Sequence, residues 1–163
     1  MIMKRKPRMI LLILFLLLAL PPSCWAWTGK LVGVTDGDTI KVLNKGKEVK
    51  VRLYGIDCPE KGQAFSRKAK QFTSDMVFGK EVEAKWIDTD RYGRTIAIVA
   101  IDKQLLNEEL VKAGYAWVYP RYCDEMICNV WHDMQIKAKM EKRGLWADAK
   151  PVAPWEYKRK KRK

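Results

Sequence analysis

Five short segments of the chain alternate apolar and polar residues or are rich in β-branched residues, which is typical of β-strands. The first three follow one another closely, and residues 44–47 (N-K-G-K) have the composition of a tight turn between the second and the third. The last two are joined by the polar residues 88–93. We therefore predict strands over residues 31–34, 39–43, 49–54, 82–87 and 95–101.

Three other segments carry apolar residues at helical spacing, with charged residues between them. These predicted helices cover residues 63–77, 105–113 and 126–143, and glycines at 79, 114 and 144 are suited to end them. Three strands, a helix, two strands and then helices is the order of an OB-type barrel. The pattern predicts an α+β protein: a five-stranded OB-fold β-barrel with three packed α-helices.

The first 26 residues differ in character from the rest of the chain. A basic start, Lys4 to Arg8, precedes an apolar run from Met9 to Leu20, which is shorter than the roughly 20 residues of a membrane-spanning helix. Cys24-Trp25-Ala26 then offers a cleavage site. We interpret residues 1–26 as a cleaved signal peptide rather than an anchor, and expect an exported protein, secreted or periplasmic. Lipid attachment at Cys24 is not expected, because the preceding residues lack a lipobox aliphatic residue.

Cleavage after Ala26 leaves 137 residues, which are enough for one domain. We expect a monomer, and the sequence implies no stable protein partner. The four basic residues of the signal leave with it, so the net charge falls from +13 to +9, and six of those charges are the last six residues. We predict a domain over residues 27–150 and a basic, disordered tail over residues 151–163. Such a tail attracts polyanions but does not identify one.

Export also changes the expected state of the cysteines. Cys123 and Cys128 are close enough in sequence to form a small disulfide loop in an oxidising compartment, which leaves Cys58 unpaired. The chain has one histidine, His132, and no second cysteine pair, so no zinc site is expected. Mechanisms that need two histidines are excluded for the same reason. His132 is interpreted as a surface or packing residue of the third helix.

The side chains that could carry chemistry concentrate in two segments and two arginines. Residues 35–39 (T-D-G-D-T) and 57–60 (D-C-P-E) supply carboxylates at strand ends, and Arg52 and Arg94 supply guanidinium groups. Carboxylates beside glycine and proline suit a hard cation such as Ca²⁺, and guanidinium groups suit a phosphate. Each segment alone is ordinary turn or surface chemistry. Together they predict a metal and phosphate site at one end of the barrel.

The sequence resembles the staphylococcal nuclease, or thermonuclease, family over about residues 29–147. The motifs that carry the resemblance occur in order: V-T-D-G-D-T at 34–39, V-R-L-Y-G-I-D-C-P-E at 51–60, D-R-Y-G-R at 90–94, L-N-E at 106–108 and R-G-L-W at 143–146. The resemblance implies a Ca²⁺-dependent phosphodiesterase that hydrolyses DNA and RNA. Water attacks phosphorus and the 5′-oxygen leaves, so the products carry a 3′-phosphate.

The resemblance also implies roles for individual residues. Asp38, Asp57 and the carbonyl of Cys58 are expected to bind Ca²⁺, and Glu60 is expected to hold the attacking water, either removing its proton or orienting it. Arg52 and Arg94 are expected to grip the scissile phosphate and favour its transition state. Five further residues are assigned to the substrate pocket: Thr39, Arg91, Tyr92, Tyr119 and Tyr122.

Some interpretations stay open at this point. Tyr119 and Tyr122 either stack on a base or pack against the barrel, and the tryptophans, Trp155 among them, are interpreted as packing residues. The segment after Glu60 is shorter than the mobile loop of the family's type member, so we expect Glu60 to be held more rigidly. A non-catalytic nucleic-acid-binding module and a protein that attaches to anionic surfaces through its tail are the alternatives. The complete set of carboxylates and arginines favours the enzyme.

Overall fold

The computed structural model describes residues 26–162, so the predicted signal peptide lies outside the described residues except for its last one, Ala26. The strands are β1 Ala26–Asp36, β2 Thr39–Asn44, β3 Lys47–Leu53, β4 Ile56–Asp57, β5 Glu81–Thr89, β6 Thr95–Ile101, β7 Gln104–Leu105 and β8 Trp117–Val118. The helices are α1 Ser66–Val77, α2 Leu106–Lys112, α3 Ile127–Met140 and α4 Pro154–Lys161, with 3₁₀ turns at Pro120–Tyr122 and Gly144–Ala147.

Five of the strands form a closed barrel. Antiparallel pairs join β1 to β2, β2 to β3, β1 to β5 and β5 to β6, and a parallel pair between β3 and β6 closes the sheet. A separate two-stranded sheet pairs β4 with β8. This closed barrel with helices packed on it confirms the predicted α+β OB-type fold. The closing pair sets Arg52 of β3 beside Ile96 of β6, which brings the two arginine-bearing segments to neighbouring strands.

The barrel interior is filled by alternating residues of its strands. On β2, Ile40 and Val42 are fully buried, whereas Lys41 between them is half-exposed. On β3, Val51 and Leu53 are at most 1% exposed. Burial of each such side chain contributes about 1.5–3 kcal/mol. Residues between the inward positions, Arg52 among them, are therefore free to line the outer surface of the barrel.

A buried amide ties α2 to the barrel. Asn107 is fully buried, and its Oδ1 accepts the backbone N–H of Val99 at 3.0 Å. Its Nδ2 donates to the carbonyl of Tyr54 at 3.0 Å, just before the turn into β4. These hydrogen bonds satisfy backbone groups that the barrel leaves unpaired where β3 ends. Asn107 thus fixes the point at which the chain leaves β3 toward Asp57.

The end of the chain corrects one expectation. A disordered tail was expected over residues 151–163, but residues 154–161 form helix α4. Pro154 occupies the first helical position, where its fixed φ favours initiation, and Ala153 and Pro154 are both buried. The apolar segment before the basic run anchors the helix on the domain, so the number of packed helices is four rather than three. Within residues 26–162, no helix has the length and apolarity to cross a membrane.

Candidate active site

The turn between β1 and β2 carries the first two carboxylates. Asp36 at the end of β1 pairs with Thr39 at the start of β2, so the turn is tight. A Cβ on Gly37 would lie 2.8 Å from the Cβ of Cys58, so only glycine allows the turn to approach that residue. The hydroxyl of Thr73 on α1 donates to the carbonyl of Gly37 at 2.6 Å. The turn is therefore held from both sides.

The second acidic segment is joined directly to the first. Asp57 and Cys58 are 1% and 2% exposed, and the backbone N–H of Cys58 donates to Oδ2 of Asp38 at 2.5 Å. Burial raises the pKa of the free Cys58 thiol well above its usual value, and the thiol packs against Gly37. Cys58 therefore acts here through its backbone and its packing, with a neutral side chain.

Arg52 lies between the two aspartates expected to bind metal. Its Nη1 is 2.8 Å from Oδ2 of Asp38, and its Nη2 is 2.7 Å from Oδ1 of Asp57. The arginine side chain is 15% exposed. Burial alone lowers the pKa of Arg52, but the facing carboxylates outweigh burial and raise it. Arg52 therefore remains a cation with one edge toward solvent.

Glu60 pairs with a lysine from the last helix of the described chain, α4. Nζ of Lys158 on α4 lies 2.8 Å from Oε1 of Glu60 and 3.5 Å from Oδ1 of Asp57. The side chain of Gln63 accepts the backbone N–H of Glu60 at 2.9 Å and donates to the carbonyl of Val152 at 2.6 Å. The segment that leads into α4 is thus bonded to the same short loop that carries Glu60.

Carboxylates and cations alternate along one line, which we name the charge ladder: Asp38, Arg52, Asp57, Lys158 and Glu60. The ladder does not neutralise its own negative charge. Burial raises the pKa of Asp57 to about 6, although Arg52 opposes this shift. Beside the ladder, burial and the repulsion of Asp38 raise the pKa of Asp36 to about 7. Both shifts indicate a place where additional positive charge is favourable.

The chemistry of this cluster fits a hard divalent cation. Oδ2 of Asp57 is buried and accepts no hydrogen bond, so it has a lone pair to offer. Carboxylate and carbonyl oxygens are the ligands that Ca²⁺ prefers. As the side chains stand, no group of three or more His, Cys, Asp or Glu residues among residues 26–162 is arranged to hold a metal. Arg52 and Lys158 already pair with the carboxylates that would bind the metal. A bound cation would therefore share those carboxylates with the two basic side chains.

Arg94 lies in the loop before β6, separate from the charge ladder. Its Nε is 2.7 Å from Oδ2 of Asp90, whose other oxygen accepts the backbone N–H groups of Tyr92 and Arg94 at 2.9 and 3.0 Å. These bonds lower the pKa of Asp90 against the opposing effect of burial. Ile96, two residues further, pairs with Arg52. The structure thus brings the two arginine segments together but pairs Arg94 with Asp90.

The tyrosines assigned to the substrate differ in exposure. Tyr92 is 69% exposed, and the guanidinium groups of Arg91 and Arg94 lie 5.1 and 5.7 Å from its ring centre. Tyr119, by contrast, is stacked on Trp155 of α4, with ring centres 4.6 Å apart and planes 5° from parallel. Tyr122 meets Tyr119 edge to face at 4.9 Å. Tyr119 therefore packs on α4, whereas Tyr92 presents its ring to solvent.

A disulfide between Cys123 and Cys128 closes the loop after Tyr122, with Cα atoms 5.7 Å apart. The hydroxyl of Tyr54 accepts the backbone N–H groups of Asp124 and Glu125 at 2.9 and 3.0 Å inside this loop. The same hydroxyl donates to the Asp124 carboxylate. Since Tyr54 follows β3, the loop is tied to the strand that carries Arg52.

Two residues at this site had no role in the sequence analysis. Asp36 belongs to the T-D-G-D-T motif, so the sequence contains it. Only the structure shows that its carboxyl group is partly buried next to Asp38. Lys158 is one of six consecutive basic residues, and nothing in that run distinguishes it from its neighbours. Thr39, which the sequence analysis assigned to the substrate pocket, is 4% exposed, and its hydroxyl donates to Oδ1 of Asp38 at 3.3 Å.

The chain as a whole is similar to one protein family and to several known proteins. The profile of the family described as "Staphylococcal nuclease homologue" matches residues 50–148. An uncharacterized endonuclease of Escherichia coli O157:H7 is 40% identical over 142 residues, which are 86% of this chain and 91% of that protein. An uncharacterized endonuclease of Haemophilus influenzae is 43% identical over 136 residues, 83% of this chain and 75% of that protein. Micrococcal nuclease of Shigella flexneri is 36% identical over 145 residues, 83% of each chain.

Proposed function

The chain belongs to the staphylococcal nuclease family, and from that premise we propose that it is a Ca²⁺-dependent phosphodiesterase that cleaves DNA and RNA. The observation that carries the proposal is the charge ladder, in which Asp38 and Asp57 face a buried guanidinium at 2.8 and 2.7 Å. Burial raises the pKa of Asp57, and buried carboxylates with raised pKa values cluster at functional sites.

Ca²⁺ would be held by Asp38, Asp57 and the carbonyl of Cys58. When bound, it supplies positive charge that stabilises the negative charge of the phosphate undergoing attack. The orphaned Oδ2 of Asp57 supports this assignment, because a buried carboxylate oxygen without a donor is a strong ligand for a hard cation.

Arg52 and Glu60 would act on the substrate. The guanidinium of Arg52 offers several N–H donors in one plane, and it would bond to the phosphate oxygens most strongly when they carry the extra charge of the five-coordinate transition state. Glu60 is 36% exposed at its side chain, so water reaches its carboxylate. Glu60 would accept a hydrogen bond from the attacking water, and departure of the 5′-oxygen would leave a 3′-phosphate.

Cleavage of denatured DNA and of RNA by protein beginning at Trp27 tests this proposal. We expect cleavage with Ca²⁺ and none with chelator, and a loss of roughly 10²- to 10⁴-fold in Glu60→Gln. Glu48→Gln is a matched control, because Glu48 pairs with Lys41 on the surface, away from the ladder. Substrate that is bound but intact would support the non-catalytic module, and 5′-phosphate products would contradict the assigned leaving group.

We also propose that the protein is exported through its N-terminal 26 residues. The disulfide between Cys123 and Cys128 supports this, because such bonds persist in oxidising compartments. The mass of protein recovered from the periplasm or medium tests it. A mature chain that begins at Trp27 is expected, whereas a retained apolar segment would contradict cleavage.

A further inference from the structure

Helix α4 is held on the site by contacts that do not involve its charges. The ring of Trp155 stacks on Tyr119 and meets Trp117 edge to face at 5.7 Å. One turn earlier, the carbonyl of Val152 accepts a hydrogen bond from Gln63, three residues after Glu60. These contacts fix the backbone of α4 next to the loop that carries Glu60.

Lys158 is the basic residue that this placement turns inward. It follows Trp155 by three residues and therefore lies on the same face of the helix. Lys158 is partly buried, with 40% of its side chain exposed, whereas the next three residues, Arg159, Lys160 and Lys161, lie open to solvent. Two carboxylates of the ladder receive its ammonium group, Glu60 at 2.8 Å and Asp57 at 3.5 Å. One lysine of the basic run is thus part of the acidic site.

We propose that Lys158 is a positioning residue of the nuclease, which holds the carboxylate of Glu60 in place for catalysis. This inference rests on the proposed function, because it assigns Lys158 to the same site. Lys158 lies beyond residues 50–148, over which the family profile matches, so the profile does not supply it. Helix α4 then contributes a functional side chain to the site.

The physical reason is the freedom that Glu60 would otherwise have. Its backbone lies in a loop between β4 and α1, and its side chain is 36% exposed, so little packing restricts its rotamers. An ammonium group at 2.8 Å from one oxygen selects one orientation and separates Glu60 from the like charge of Asp57. A displacement of about 1 Å in a catalytic group can lower turnover by 10².

If Lys158 only substituted for the metal ion, its removal would have the opposite effect on activity. Activity at low Ca²⁺ would then rise. If it positions Glu60, its removal lowers kcat even at saturating Ca²⁺. In both cases removal of a positive charge beside Asp57 leaves Ca²⁺ binding unchanged or tighter, because like charges repel. A loss of kcat without a loss of Ca²⁺ affinity therefore separates positioning from metal binding.

The experiment compares the mature protein with Lys158→Met, Lys158→Arg and Lys160→Met. Lys160→Met removes the same charge from an exposed position of α4 and controls for attraction of the polyanion. We expect Lys158→Met to lower kcat about 10- to 100-fold and to change KM less than threefold. Lys158→Arg should recover most of kcat, because it keeps the charge and the donors. Calorimetry should give a Ca²⁺ Kd in Lys158→Met no weaker than that of the wild type.

The outcomes separate the two proposals. Wild-type cleavage with an unchanged or increased rate in Lys158→Met would overturn the positioning role and leave the nuclease intact. An equal loss in Lys160→Met, or no recovery in Lys158→Arg, would also overturn it. If Lys158→Met lowers the melting temperature so far that loss of folded protein accounts for the loss of kcat, Lys158 has a structural role and the positioning role is overturned. A wild-type protein that cleaves neither DNA nor RNA would overturn the proposed function and this inference together.

Discussion

Replacing Arg52 by methionine is expected to destabilise the metal-free protein strongly and in a pH-dependent way. Arg52 is the shared partner of Asp38 and Asp57, whose side chains are 7% and 1% exposed. Methionine fills part of the same space but leaves Asp38 without its counter-charge and Asp57 with only the ammonium group of Lys158, at 3.5 Å. Removing one partner of a buried ion pair costs about 3–5 kcal/mol, because the remaining charge stays desolvated.

The pH dependence follows from Asp57. Its pKa in the folded protein is about 6, above the ordinary value of 3.8, so the folded state binds the proton more tightly than the unfolded state does. Stability therefore decreases as the pH rises through this interval. Without Arg52 the folded-state pKa rises further, and the decrease extends to higher pH. The cost of the substitution should thus be larger at pH 8 than at pH 5, where the carboxyl group is protonated.

Urea unfolding with chelator at both pH values measures this effect. With a slope of about 2 kcal/mol per molar urea, the midpoint at pH 8 should fall by about 2 M. Lys41→Met is the matched control, because Lys41 and Glu48 form a surface pair at 2.9 Å with side chains 37% and 47% exposed. Such pairs contribute about 0–1 kcal/mol. Equal effects of the two substitutions, or equal effects of Arg52→Met at both pH values, would refute the reasoning.

Three further predictions concern stability. Asp36→Asn should make the metal-free protein more stable at pH 8 and flatten the loss of stability between about pH 4 and 7, because the pKa of Asp36 is raised to about 7; an unchanged pH profile in urea would contradict this. Asn107→Ala should lower the free energy of unfolding by about 3 kcal/mol, since it leaves buried backbone groups unpaired; a loss below about 1 kcal/mol would argue against it. Reduction of Cys123–Cys128 should cost about 2 kcal/mol, as estimated from its short loop, and thermal unfolding with and without reductant checks it.

The barrel was predictable because its strands carry their pattern locally. Alternation on β3 placed Val51 and Leu53 inside and Arg52 outside, and the structure shows the same arrangement. The bounds of β1 were less predictable: it begins at Ala26 and pairs with β5 through residues 26–30, which contain Thr28 and Gly29 and have no apolar alternation. Strand pairing of this kind depends on the partner strand, which a local pattern does not contain.

The site was only partly predictable for a similar reason. The motifs identify Asp38, Arg52, Asp57 and Glu60, and the fold brings these four together. The position of Lys158 depends on contacts between distant parts of the chain, whereas Arg94 pairs with Asp90 within one loop, four residues away. A run of basic residues predicted a disordered tail over residues 151–163, whereas the stacking of Trp155 on Tyr119 holds helix α4 on the domain.

The charge of the site connects these observations. Asp36, Asp38, Asp57 and Glu60 face two cations, Arg52 and Lys158. Fully ionised, this group retains two negative charges, which one divalent cation would balance. Without Lys158 the imbalance would be larger and Glu60 would have no partner in the ladder. A protein truncated at residue 150 would keep the family motifs but lose this cation, so the proposed role of Lys158 predicts that the functional domain extends through α4.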